Sequence, residues 1–155
     1  KGVHPVLRNN PWMFGDEFEL MVSNRQINTI VSSIMNSTYR GKGGSDRPDL
    51  ILEGPNNRLL LVELKSPQDT FDWENEAQAK RYRDRLAPIF PAKTFTIFVL
   101  AGKAPSDMVR NSDPAVRLVT YAELAADAEA RLRWLINNID LTSIEQSSVQ
   151  EGLGI

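Results

Sequence analysis

The chain has 155 residues, 41% of them hydrophobic, which is enough for one domain with an apolar core. It has no cysteine and a single histidine, which excludes disulfides, zinc–thiolate sites, thiol catalysis and sites of several histidines. The formal net charge is -2, so binding to nucleic acid has to rest on local basic patches. No apolar run reaches the roughly 20 residues that span a bilayer, and no signal-peptide pattern is present. We therefore expect a cytoplasmic protein without membrane contact.

The first predicted element is a helix that begins at Asn10-Pro11, because Asn is a good N-cap and Pro suits the first helical position. Its apolar stripe consists of Phe14, Phe18, Met21 and Val22. Glu17 borders this stripe and is the acid expected to face inward, although Asp16 and Glu19 compete for that place. A solvated acid stabilised by the helix dipole is an equally good interpretation of Glu17.

A strand is predicted over Gln26 to Met35, because this stretch is rich in β-branched residues. The polar loop that follows contains three glycines and the basic residues Arg40 and Lys42. Such a loop could contact a phosphate backbone, although basic loops are more often simply solvated.

The most informative stretch runs from Arg47 to Lys65 and is predicted to be two strands joined by a turn. The first strand begins at Asp49, and a cluster of turn-forming residues follows at Gly54–Asn57. The second strand is almost continuously apolar, which indicates burial on both faces. Glu63 and Lys65 stand two positions apart at its end, so their side chains are expected on the same face.

Pairing of these two strands can bring Asp49 next to Glu63, where two carboxylates would repel each other unless a proton or a cation came between them. Mg²⁺ suits this place because it needs only one or two carboxylates besides waters and a substrate phosphate. The carbonyl of Leu64 could add an oxygen, and Lys65 could position the attacking water or stabilise phosphate charge. The alternative is a solvent-facing Asp and a simple Glu–Lys pair.

The next predicted helix runs from Trp73 to about Ala87, with Asp72 as its cap and a narrow apolar stripe of Ala79, Tyr82 and Leu86. Gln78 and Tyr82 are one turn apart, so Gln78 could reach a phosphate, a water at the metal or a base edge. Packing of Tyr82 on the sheet, with Gln78 incidental and the arginines solvated, is an equally good interpretation.

Two more strands are predicted, a buried one over Thr94 to Ala101 and a short one over Arg117 to Thr120. Thr120 and Glu123 have the spacing of a capping box at the start of the last helix. One face of that helix carries apolar residues that are interpreted as core: Leu124, Ala128, Leu132, Leu135, Ile136 and Ile139. From Thr142 the chain turns polar, so we expect a domain over 1–140 and a mobile tail over 141–155.

The predicted order of helix, three strands, helix and strand resembles the core of the PD-(D/E)xK nuclease superfamily. More narrowly, the phrases HPVLRNNPWMFGDEFE, RPDLIL and LLLVELKSP, with Val119-Thr120-Tyr121 before the last helix, resemble the Shedu C-terminal nuclease domain of bacterial anti-phage defence. The resemblance covers roughly residues 4–138. An Asp/Glu-x-Lys signature alone recurs by chance, whereas the phrase HP-L-x-x-NPW placed before RPD and VELK is much more specific.

This resemblance implies an α/β fold with a restriction-endonuclease-like core, a central mixed β-sheet flanked by helices in the order αβββαβ. It implies hydrolysis of DNA phosphodiesters with Mg²⁺, for which Mn²⁺ can substitute. The implied metal ligands are Asp49, Glu63 and Leu64, the catalytic lysine is Lys65 and the auxiliary acid is Glu17. The residues expected to support the site or bind the substrate are Gln78, Tyr82, Arg40, Lys42 and Arg81.

The resemblance also implies a homo-oligomer in the cytoplasm of a bacterium. Because the chain begins at Lys1 rather than Met, we expect an excised C-terminal domain of a longer protein whose N-terminal region regulates it. Two alternatives from other classes remain: a non-catalytic nucleic-acid-binding module with a nuclease-like fold, and an oligomerisation module that pairs through the stripe of the last helix. Composition does not separate DNA from RNA as the substrate.

Overall fold

A four-stranded mixed sheet forms the centre of the computed structural model, which describes residues 2–38, 48–110 and 112–152. Its strands are β1 (Leu50–Gly54), β2 (Arg58–Leu64), β3 (Thr94–Ala101) and β4 (Val116–Thr120). They lie side by side in chain order, with β1 antiparallel to β2 and the pairs β2–β3 and β3–β4 parallel. The predicted α/β class with a central mixed sheet is therefore confirmed.

Helices cover both faces of this sheet. They are α1 (Val3–Asn9), α2 (Arg25–Thr38), α3 (Trp73–Leu86) and α4 (Tyr121–Gly152). On one face, α2 and α3 enclose a core with the odd-numbered leucines of β2, Leu59 and Leu61. On the other face, α1, the turns after it and the start of α4 enclose a second core with Leu60 and Val62. Among the described residues, no helix is both long and apolar enough to cross a bilayer.

The hairpin of β1 and β2 folds as the sequence predicts. Leu59 to Val62 are all 1% exposed or less, as expected for a strand that is buried on both faces. The turn places Asn56 and Asn57 in the left-handed region, each with a φ of 57°. Asn tolerates this conformation better than most residues, and two such residues in succession suit a tight antiparallel hairpin.

The strand predicted over 26–35 is wrong, because this segment lies in helix α2. Asn24 caps the helix, since its Oδ1 accepts a hydrogen bond from the backbone N–H of Ile27 at 3.2 Å. Helical spacing places three apolar residues against the core: Ile27, Val31 and Ile34. The cap and this periodicity outweigh the β preference of the branched residues. Two strands, rather than three, therefore precede α3, so the αβββαβ order is not reproduced.

The helix predicted from Asn10 is replaced by two 3₁₀ turns, Pro11–Phe14 and Asp16–Phe18. They are separated by Gly15, whose φ of 142° is incompatible with a continuous helix. Phe14 and Phe18 still reach the core, where both pack edge-on against one ring of β3. Because the helical stripe is broken, Glu17 is exposed, and the prediction that it faces inward is wrong.

Helix α4 departs from its prediction in two ways. Its backbone continues to Gly152, past the predicted end of regular structure near Thr142. Its apolar stripe is core only at the start, where Leu124 and Ala128 are buried. The remaining predicted core residues of this stripe are 43–60% exposed: Leu132, Leu135, Ile136 and Ile139. The first turns pack on β4, and further along the helix Arg131 donates to the backbone carbonyls of Trp12 and Met13.

The predicted capping box at the start of α4 is confirmed. The backbone N–H of Glu123 donates to Thr120 Oγ1 at 3.2 Å, and that of Thr120 donates to Glu123 Oε2 at 2.7 Å. Both terminal nitrogens of Arg110 also donate hydrogen bonds to the Glu123 carboxylate, at 2.7 and 2.9 Å. These donors, the arginine foremost, lower the pKa of Glu123 to about 2.

Replacement of Glu123 with Gln is expected to lower the free energy of unfolding at pH 7 by about 1–2 kcal/mol, a range that allows for its partial exposure. A lowered pKa stabilises the fold above the unfolded value of 4.5, and this stabilisation is lost as the pH falls towards 2. The difference from the native chain should therefore shrink in that range, as measured by urea denaturation. Glu129→Gln, which removes an exposed pair with Arg133, should change stability by less than about 0.5 kcal/mol.

Candidate functional site

The candidate site lies where β1 begins and β2 ends. The pairing of Leu50 with Val62 sets the register of these strands and brings Asp49 opposite Glu63. Asp49 precedes the first ladder pair, and its Oδ2 accepts a hydrogen bond from the backbone N–H of Leu64 at 2.7 Å. The register thus brings the two predicted acids together, as the sequence predicts.

Four side chains form a closed ring of hydrogen bonds at this point. Lys65 Nζ donates to Glu63 Oε1 at 3.0 Å and to Gln78 Oε1 at 2.9 Å. Gln78 Nε2 donates to the hydroxyl of Tyr82 at 2.8 Å, and this hydroxyl donates to Glu63 Oε2 at 3.1 Å. Each amide and carboxylate atom named here has one partner within the ring. The ring fixes the orientation of the carboxylate and of the ammonium group together.

Helix α3 supplies half of this ring. Asp72 caps the helix, with its side chain accepting from the backbone N–H of Asn75 at 2.9 Å, as predicted. The stripe of Ala79, Tyr82 and Leu86 is buried against the sheet, which also confirms its prediction. Because Tyr82 lies in the core, its hydroxyl meets the end of β2, and Gln78 lies one turn earlier over Lys65.

Glu63 is the buried acid of the site, with only 9% of the residue exposed. Burial raises the pKa of Glu63 above its usual value, and the nearby charge of Asp49 raises it further. The hydrogen bond and charge of Lys65 and the hydroxyl of Tyr82 oppose this rise. A cation next to Glu63 and Asp49 would favour their charged forms for the same electrostatic reason.

The chain leaves β2 along a path that keeps Lys65 in place. The backbone N–H of Lys65 donates to the carbonyl of Leu100 at 2.8 Å, which extends the pairing with β3 by one residue. Gly102 passes so close that a Cβ atom there would lie 1.7 Å from the carbonyl oxygen of Pro67. The backbone after Lys65 therefore packs directly on the backbone after β3.

Two residues near the site were missed by the sequence analysis. The hydroxyl of Tyr121 donates to the carbonyl of Lys65 at 2.7 Å, and His4 Nε2 donates to the carbonyl of Asp49 at 2.7 Å. Both residues lie in the stretches of sequence that carry the family resemblance, and neither was predicted to be a site residue. Nothing in the local pattern showed that they would reach the site, because each contact joins residues at least 45 positions apart.

One predicted substrate contact, Arg81, and the auxiliary acid, Glu17, lie away from the ring. Glu17 lies 3.6 Å from Arg117, whose guanidinium covers the Phe98 ring in the core on the face opposite Glu63. It is therefore not brought to the ring of side chains. Arg81 pairs with Glu74 at 2.5 Å on the surface of α3. Arg40 and Lys42 lie outside the described residues.

The residues present fit a hard divalent cation. Within the described ranges no group of three or more His, Cys, Asp or Glu could hold a metal ion. Mg²⁺ does not require such a group, because it is commonly held by one or two carboxylates together with waters and substrate phosphates. Asp49, Glu63 and the carbonyl of Leu64 supply oxygen donors, as this ion prefers.

No protein-family model, curated protein or solved structure matches the chain. The fold alone would not establish a function, since one fold hosts many activities.

Proposed function

We propose that the chain is a Mg²⁺-dependent DNA endonuclease of the PD-(D/E)xK superfamily, akin to the Shedu nuclease domain. The observation that carries the proposal is the closed ring of Glu63, Lys65, Gln78 and Tyr82 beside Asp49. A surface ion pair would not need a buried carboxylate whose two oxygens are each held by a different partner. Groups of this kind occur where a charge has to be placed accurately.

In the proposed reaction Asp49, Glu63 and the Leu64 carbonyl hold the cation. When bound, a divalent ion helps water to attack phosphorus and offsets charge on the phosphate. Lys65 lies at the edge of the cluster, with 23% of its side chain exposed. Its ammonium has three donors, of which Glu63 and Gln78 accept two. Within the described ranges the third has no acceptor, so it can contact a phosphate oxygen or the attacking water.

Gln78 and Tyr82 act as positioning residues in this proposal. Gln78 is a second acceptor for Lys65, so the ammonium keeps one fixed partner if a cation draws the carboxylate away. Tyr82 holds the second oxygen of Glu63 from the core side. Partners of this kind fix the direction in which a ligand presents its lone pairs.

Cleavage of supercoiled plasmid tests the proposal. With Mg²⁺ or Mn²⁺ the native chain should convert closed circles to nicked or linear DNA, and EDTA should stop the reaction. Closed circles have no ends, so any product shows internal cleavage. Binding of the plasmid with no cleavage in either metal would instead support the non-catalytic module.

We also propose that the nuclease self-associates through α4, because this helix exposes a cluster of apolar side chains. The exposed part of the stripe carries Leu132, Leu135, Ile136 and Ile139, and Trp134 nearby is 64% exposed. Apolar residues clustered in this way are often covered by a second chain. Light scattering should give a mass above that of one chain, and Leu135→Glu should reduce it. A monomeric native chain at micromolar concentration would contradict this.

Regulation by an N-terminal region and a defence role stay predictions from the resemblance.

A further inference from the structure

A polar cavity with a volume of about 150 Å³ adjoins the candidate metal site. It lies between α1, α2 and the first residues of β1. Its polar lining residues are His4, Arg8, Ser23, Asn28, Ser32 and Asp49. The cavity and the metal site therefore share Asp49.

Arg8 gives this cavity a fixed positive charge. Its guanidinium makes no hydrogen bond or ion pair with any residue that the structure describes. Arginine remains charged at any ordinary pH and has five donors arranged to meet phosphate oxygens. Among the described lining residues Asp49 is the only acid, and its Oδ2 is already held by the backbone N–H of Leu64.

The other polar residues described in the wall carry neutral groups. Asn28 Nδ2 donates to Ser23 Oγ at 3.1 Å, and His4 is held by its bond to the carbonyl of Asp49. Hydroxyl, amide and imidazole groups bind phosphate oxygens in protein–DNA complexes. A second divalent cation would require more carboxylates than this lining provides. With one guanidinium and one acid among its described lining residues, the cavity favours an anion over a second cation.

We propose that this cavity binds the phosphate next to the scissile phosphate on the same DNA strand, with Arg8 as its main contact. The inference depends on the proposed nuclease function, because it takes the scissile phosphate to lie at Asp49 and Glu63. Phosphates of one strand follow each other at about 3.4 Å of helix rise. A strand with one phosphate at Asp49 thus brings a neighbouring phosphate to a cavity that shares this residue. Arg8 fixes the register of the strand and takes no part in the chemistry.

The test measures binding of a duplex DNA to the native chain and to Arg8→Gln in Ca²⁺, which is expected to support binding without cleavage. The variant should bind about 5–30-fold more weakly at 0.1 M salt, and the slope of log K against log salt should fall by about 0.9. Its affinity for Ca²⁺ alone should change by less than about 3-fold. Arg8→Lys should keep the salt slope, because it keeps the charge.

Arg133→Gln is the matched control, since Arg133 is an exposed arginine paired with Glu129 on α4 and lies away from the cavity. It should leave the affinity and the salt slope unchanged. Inorganic phosphate serves as a second probe. If it binds the native chain but not Arg8→Gln, while both bind DNA equally, the cavity is a free-phosphate site and the proposal is overturned.

The two proposals fail in different ways. If the native chain cleaves plasmid and Arg8→Gln matches it in DNA affinity and salt slope, only the phosphate site is overturned. If the native chain neither cleaves nor binds DNA, both are overturned. A melting curve by circular dichroism should show that Arg8→Gln is folded, as expected for an exposed side chain without partners.

Discussion

Glu63→Gln is expected to remove both divalent-metal binding and DNA cleavage, whereas Lys65→Met should remove cleavage and keep metal binding. Gln has nearly the shape of Glu but lacks its charge, so the cation loses a main ligand. We expect Mn²⁺ affinity to fall by at least about 10-fold and cleavage by at least about 1000-fold. Calorimetric titration with Mn²⁺ and plasmid cleavage measure the two effects separately.

The opposite effect of Lys65→Met on metal binding follows from the ring. Lys65 Nζ lies 3.0 Å from Glu63 Oε1, so the ammonium occupies one side of an oxygen that the cation requires. Its removal also removes a positive charge next to the cation. We expect Mn²⁺ affinity to stay the same or rise by up to about 10-fold, while cleavage falls by at least about 1000-fold.

The pH of this comparison matters. Burial already raises the pKa of Glu63, and loss of Lys65 removes the partner that opposes the rise. Protons then compete with the metal at a higher pH than in the native chain. Titration near pH 8 reduces this competition, so the metal affinities can be compared more directly.

Lys80→Met is the control for this pair. Lys80 lies on α3 and pairs with Glu76 at 2.7 Å, so the same side chain is changed at a Glu–Lys pair outside the ring. It should leave metal binding and cleavage within about 3-fold of the native values. Native cleavage by either Glu63→Gln or Lys65→Met would remove the basis of the nuclease assignment.

The hairpin could be predicted because its information is local. Turn residues, a doubly buried strand and the two-residue spacing of Glu63 and Lys65 each act over a few positions. The strand register then follows from the turn, because turn type and loop length fix the pairing in a hairpin. The approach of Asp49 to Glu63 is a consequence of that register.

The errors arose where distant packing decides the structure. Branched residues in 26–35 favour a strand locally, but their spacing fits the core only as a helix capped by Asn24. Glu17 would border an apolar stripe on a continuous helix, and the break at Gly15 turns it outward. The stripe of α4 has a helical pattern in both halves, but its burial ends after Ala128, which depends on packing against distant parts of the chain.

The candidate site also divides into features set by local sequence and features set by distant packing. Gln78 and Tyr82 were identified by their spacing, but their partners at the end of β2 depend on how α3 packs on the sheet. Tyr121 and His4 reach the site across 56 and 45 positions of sequence. A single sequence carries no signal for such contacts unless a family pattern supplies it.

Tyr82→Phe is expected to weaken Mn²⁺ binding by about 10–100-fold, although Tyr82 is not a metal ligand. Its hydroxyl donates to Glu63 Oε2 and accepts from Gln78, and the residue is 1% exposed. Phe fills the same space but leaves the carboxylate oxygen and the amide without this partner. We expect the free energy of unfolding to fall by about 1–3 kcal/mol and Glu63 to lose its fixed orientation.

Tyr121→Phe is the matched control, because it removes the same atom from another tyrosine at the site. The hydroxyl of Tyr121 donates to the backbone carbonyl of Lys65 rather than to Glu63. Its loss should cost about 1 kcal/mol of stability and change Mn²⁺ affinity by less than about 3-fold. Calorimetry at pH 8 and urea denaturation give both quantities for each variant. Equal metal affinities for the two variants would show that the Tyr82 hydroxyl does not position Glu63, and that its bond to the carboxylate serves stability alone.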